Sequence, residues 1–168
     1  KNFTPPRNIM GLDAFVYCNC FETGKLLSPP RADFDVSVSD EGGLECGSRD
    51  LDTQIAFDAW RSLEACEHED GKLLQHRIGN LSLVGRLRQE LNRRHEDFPV
   101  ILTKVISSGS HCGDFLAMDD IRQLQLEVPR LKNFPCSDEE SQALLDRFHD
   151  QLVELIECAA VINKPIVF

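Results

Sequence analysis

The chain lacks any long apolar run, any internal repeat and any fingerprint of an assigned chemistry. Its longest apolar stretches last only a handful of residues, which excludes a transmembrane helix of about 20 residues. No phosphate-cradling Walker loop, dinucleotide fingerprint, His-Glu-x-x-His zinc motif or nucleophile elbow occurs. No charged and apolar leader of the secretory kind is present near the start, so export is not expected. Basic residues are also scarce, with 18 Lys and Arg against 28 Asp and Glu and a formal net charge of −10. That balance disfavours nucleic acid and anionic membrane as partners and suits a basic protein partner. Seven cysteines, an odd number at irregular spacing, fit no disulfide framework. The expected compartment is therefore reduced and cytoplasmic.

What remains is an ordinary globular composition, 42% hydrophobic and 27% charged. A chain of 168 residues fits one domain and buries enough surface to fold without a staple. Lys1 to Ile9, with two prolines and no apolar period, read as a loose tail or non-native leader. Residues 10–168 read as a single α+β domain, with N-terminal antiparallel strands over about 11–46 and a mostly helical part over about 50–163.

The local signals are as follows. Leu12, Ala14, Val16, Cys18 and Cys20 recur at period two and predict a strand with one apolar face. Phe34, Val36 and Val38, then Glu41-Gly42-Gly43 and Leu44-Glu45-Cys46, predict a short hairpin. Leu51, Ile55, Ala59, Trp60 and Leu63 predict a helix capped by Asp50 or Asp52. Leu74, Ile78, Leu81, Val84, Leu87 and Leu91 form a second helical stripe, in which Arg77 falls among apolar residues and is expected to be partly buried on a carboxylate. Gly79 is the position that would break that helix. Lys72, Arg77, Arg86, Arg88, Arg93 and Arg94 make 72–94 locally basic, a face expected to pair with acidic neighbours. Segment 99–108 suits helix and buried strand; Pro99 and Gly109 favour helix. Asp119-Asp120 could start a helix that Pro129 kinks or ends. Ser137-Asp-Glu-Glu140 is a capping box, opening a helix to about Ile162 that Lys164-Pro165 stops, with an edge strand at 166–168 beyond it.

Chemistry-bearing residues concentrate at Cys18-Asn-Cys20, at Cys66-Glu-His68-Glu-Asp70 and at Ser110-His-Cys-Gly-Asp114. Thiol, imidazole and carboxylate are the side chains that ligate metals. Core packing accounts for Cys18 and Cys20 on the apolar face, and Cys20 is the better ligand because it ends the strand. Cys66-x-His68 departs from the usual zinc spacing, yet the four carboxylates of Glu64, Glu67, Glu69 and Asp70 at a helix C-terminus ask for a cation or a basic partner. The metal set expected from these segments is Cys66, His68 and His111, with Cys20 or Asp114 as fourth ligand, and zinc as the ion. His76 and Arg77 are further polar candidates.

The segments Met10-Gly-Leu-Asp-Ala-Phe-Val-Tyr-Cys-Asn-Cys, Ala65-Cys-Glu-His-Glu, His76-Arg-Ile-Gly-Asn and Ser108-Gly-Ser-His-Cys-Gly-Asp together resemble a group of short uncharacterised bacterial proteins. The resemblance covers Met10 to about Leu131 and implies no activity. Size and acidity are also similar to those of bacterial immunity proteins, an analogy of class only. Two functions are therefore expected from the sequence. One is a non-enzymatic interaction protein, immunity-type or regulatory, with an acidic face. The alternative is a zinc-dependent enzyme using 66–70 and 108–114.

Overall fold

The computed structural model describes residues 11–109 and 113–168. The expected tail, with Met10, lies outside them, as does His111. The architecture is α+β. Strand β1 (Gly11–Tyr17) is central to a four-stranded antiparallel sheet. It pairs on one side with β4 (Lys72–Asn80) and on the other with β6 (Ile166–Val167), and β5 (Phe115–Leu116) closes the edge beyond β6. Strands β2 (Val36–Val38) and β3 (Leu44–Cys46) form the expected hairpin apart from this sheet.

The β1 alternation is realised: Leu12, Ala14 and Val16 are buried and join the main core, while Asp13, Phe15 and Tyr17 stay partly exposed. Over the buried face lie α2 (Leu81–Leu91), α3 (Met118–Leu131) and α4 (Glu139–Ile162). Helix α4 contributes Leu145, Phe148, Leu152 and Leu155, all at most 1% exposed, in the expected stripe. A second, smaller core of Phe34, Phe57, Trp60 and Ala65 lies between the hairpin and α1 (Leu51–Leu63). Its rings meet at 5.7 to 5.9 Å between centroids, within the range for favourable aromatic pairs.

The structure corrects several sequence expectations. Residues 72–80 are strand, not helix, so strand and helix are interleaved along the chain. Leu74 and Ile78 are four apart, a spacing that satisfies both a helical turn and two strand repeats. Pairing with β1 decides between them, and Asn80 then starts α2 by accepting from Leu83 N at 2.9 Å. On a strand Arg77 points outward, exposed, and meets its cross-strand partner Asp13 at 3.1 Å. His76 leans the other way and bonds Glu154 of α4 at 2.8 Å. Of the segment 99–108, residues 99–105 are helical, with a wide turn at Ile101–Val105, and the helix stops at Ile106 rather than running on to the expected Gly109 cap. The buried carboxylate of Glu127 accepts from Val100 and Ile101 N–H at 2.8 and 2.9 Å.

The N-cap of α4 is shifted by one residue from the expected Ser137. Asp138, not Ser137, accepts from Ser141 N at 2.7 Å, because the Ser137 hydroxyl and N–H both donate to Glu90. Pro129 sits in the last turn of α3 and the helix ends with Leu131. Strand β6 is interior to the sheet rather than an edge. Of the two candidate caps, Asp50 and Asp52, it is Asp50 that caps α1, accepting from Thr53 N at 2.9 Å. Among the described residues no helix is long and apolar enough to cross a membrane.

Candidate metal centre

Cys18 and Cys20 follow the last residue of β1, and Cys66 and His68 lie on the connection from α1 to β4. Tyr17 pairs with Lys72 across β1 and β4, so both connections leave the sheet at the same end. Cys18 N–H donates to Gly71 O at 2.8 Å and fixes that junction. Asp70 and Gly71 both adopt positive φ, 51° and 69°, which reverses the chain between His68 and β4 and turns the imidazole back toward β1. On the other segment, Thr23 N–H bonds Asn19 O at 3.0 Å and Lys25 N–H bonds Cys20 O at 2.8 Å, so a tight turn carries Cys20.

The outcome is a cluster of Cys18, Cys20, Cys66 and His68 whose ligand atoms all lie within 4.8 Å of one another, a group that could hold a metal ion. The Cys18 and Cys66 sulfurs are 3.7 Å apart, far beyond a disulfide bond of about 2.05 Å. Cys20 Sγ stands 3.5 Å from His68 Nδ1. Cys20 is buried and the other three are half-buried. Burial pushes the Cys18 thiol up to about 12 and raises Cys20 as well. Such thiols give up their protons readily only to a compensating cation. Exposed Glu67, Glu69 and Asp70 add negative charge around the cluster.

Three of the residues singled out in the sequence, Cys20, Cys66 and His68, thus come together. Cys18 completes the group, although the strand pattern assigned it to the core. The pleat ends at Tyr17, and the bond to Gly71 holds Cys18 out of the alternation that would have buried it. Asp114 is not part of the cluster. It flanks edge strand β5, where its carbonyl accepts from Phe168 N–H at 2.9 Å. Gly109 rests against Leu81, beside Asn80, which pairs with Gly11 at the start of β1. The Gly109 flank of the 108–114 segment therefore lies toward the start of β1, opposite the sheet end that carries the cysteines.

Two features beside the cluster were not legible in the sequence. A cavity of about 20 Å³, lined by Tyr17, Phe21, Leu26, Leu44 and Ala65, adjoins Cys18 and Cys66. It has room for a water molecule but not for a substrate. Lys164, 5% exposed just past α4, donates to Gly42 O at 2.8 Å and pairs with Glu22, anchoring the hairpin turn and the loop after Cys20 to the end of α4. No family model, curated protein or solved structure matches the chain.

Proposed function

We propose that this chain is a non-enzymatic interaction protein stapled by a zinc ion on Cys18, Cys20, Cys66 and His68. The carrying observation is the cluster itself: three sulfurs and one imidazole nitrogen gathered from two segments 48 residues apart. A tetrahedron with zinc–sulfur bonds of about 2.3 Å has edges of about 3.8 Å between sulfurs and about 3.6 Å between sulfur and nitrogen. The pairs at 3.7 and 3.5 Å already match these edges, and the widest pair must close by about an ångström. Four protein ligands fill zinc's tetrahedron and leave no position for a reacting water, as in structural rather than catalytic centres. The adjoining cavity of about 20 Å³ supports the same reading. Joining the end of β1 to the end of α1, the ion would hold the small aromatic core and its hairpin against the main sheet.

Among the described residues, the surface so held has an unpartnered face. Leu51, Ile55 and Leu63 of α1 are 68%, 59% and 81% exposed, and with Ala59 they recur every four residues along one side of the helix. Exposed Asp52, Asp58 and Glu64 accompany them on the helix and at its end. Apolar residues fringed by carboxylates suit a basic amphipathic partner segment.

Elemental analysis of protein purified without chelator tests the metal. About one zinc per chain is expected, falling severalfold in Cys66→Ser and in His68→Ala. Wild-type protein that takes up no zinc on reconstitution, or a Cys66→Ser variant that keeps all of it, overturns the staple. Titration with a synthetic Leu/Lys amphipathic helix probes the face. Binding should weaken in the Leu51→Ser/Ile55→Ser/Leu63→Ser variant, and unchanged binding removes α1 as the docking surface.

A further inference from the structure

We infer that Cys18 and Cys66 are also a peroxide-reactive dithiol, whose oxidation to a disulfide expels the metal while preserving the link between the two segments. The inference rests on the zinc reading for its metal-release step and on sulfur geometry alone for the disulfide. The two sulfurs are in contact at 3.7 Å and need to approach by about 1.7 Å to bond. Both residues are half-buried, so a small oxidant can reach them. Cys20 is the most buried of the three residues, at 8% exposed, and its sulfur lies 3.5 Å from His68 Nδ1, whereas the Cys18 and Cys66 sulfurs face each other at 3.7 Å.

The chemistry balances with hydrogen peroxide as oxidant. The Cys66 sulfur attacks one peroxide oxygen; the S–O bond forms, the O–O bond breaks, and the departing hydroxide takes up a proton as water. The Cys18 sulfur then attacks the sulfenic sulfur; the S–S bond forms, the S–O bond breaks, and a second water leaves. Two electrons pass from sulfur to peroxide. With two donors withdrawn, Cys20 and His68 remain, half of the set a structural zinc requires. The new bond spans the same two segments that the ion had joined. The cluster is then a staple in both redox states, metal-filled when reduced and covalent when oxidised, and metal release is its signal.

The test uses the full, zinc-loaded chain titrated with hydrogen peroxide, reading freed zinc with a chromogenic chelator and free thiols in parallel. One zinc should appear for every two thiols lost, and dithiothreitol with added zinc should restore both. Cys18 and Cys20 fall on one tryptic peptide, so fragmentation by tandem mass spectrometry must place the link, and Cys20→Ser should still form it. A Cys18–Cys20 or Cys20–Cys66 bond, or sulfinic acid without any disulfide, overturns the inference. Metal-free protein separates the two readings. A Cys18–Cys66 bond formed by a chain that never takes up zinc sinks the metal reading and the release step while the dithiol stands. Zinc uptake with no such bond does the reverse.

Discussion

Lys164, immediately past the end of α4, reaches across to the carbonyl of Gly42 at 2.8 Å and pairs with Glu22. This buried ammonium joins three parts of the molecule that neither sheet joins: the loop after Cys20, the turn of the hairpin and the C-terminal segment. Its charge is compensated by Glu22, and its removal strands a buried carbonyl. Lys164→Met keeps the apolar stem and deletes the charge, so it isolates the polar contribution. It should cost about 1–3 kcal/mol in urea unfolding, the range for an unsatisfied buried group. A change within 0.5 kcal/mol, roughly the noise of surface substitutions, would show that the aliphatic stem alone matters.

Removing the metal should weaken the fold measurably. A ligand present at about a thousand times its dissociation constant stabilises the folded state by about 4 kcal/mol. At about 2–4 °C per kcal/mol for a chain of this size, chelation should lower Tm by about 8–16 °C. The small core around Phe34, Phe57 and Trp60 should respond first, and the single Trp reports it directly by fluorescence. Chelated and untreated protein melting together would mean that the cluster contributes no binding energy to the fold.

Glu90 provides a pH signature remote from the metal centre. The Ser137 hydroxyl hydrogen bond, with the Arg93 guanidinium and the Ser137 N–H, holds its carboxyl below the ordinary glutamate range. A carboxyl depressed in the folded state contributes stability that is complete above the unfolded value near 4.3. That contribution drains away as pH falls through the lower folded value. Wild type should therefore lose stability below about pH 5 more steeply than Glu90→Gln, whose side chain cannot titrate. Urea midpoints measured from pH 7 down to pH 3 decide this, and parallel curves for the two proteins would contradict it.

Arg77 tests the strand assignment of 72–80. On a strand, half exposed and paired with Asp13 at 3.1 Å, it is a surface ion pair. Arg77→Ala should cost under about 1 kcal/mol. A loss of about 3–5 kcal/mol is the mark of a broken buried pair and would return Arg77 to the helical stripe.

The elements that sequence alone decided are those whose information is local. The period-two run of β1, the acidic start of α1 at Asp50 or Asp52, the glycine turn of the hairpin and the long stripe of α4 each rest on residues a few positions apart. Local physics also drew Cys20, Cys66 and His68 out as ligand candidates, through their chemistry and their places at element ends. Tertiary structure decided the rest. Leu74 and Ile78 satisfy two periods, and only the neighbouring β1 makes that segment a strand and turns Arg77 outward. Ser137 loses its capping role to Asp138 because Glu90, 47 residues earlier, engages both its donors. Cys18 joins the cluster because its N–H pairs with Gly71 beyond α1, a partner that no window around Cys18 contains. Local preferences are written in neighbouring residues, whereas a ligand set is a distance between segments, which exists only once the chain has closed on itself.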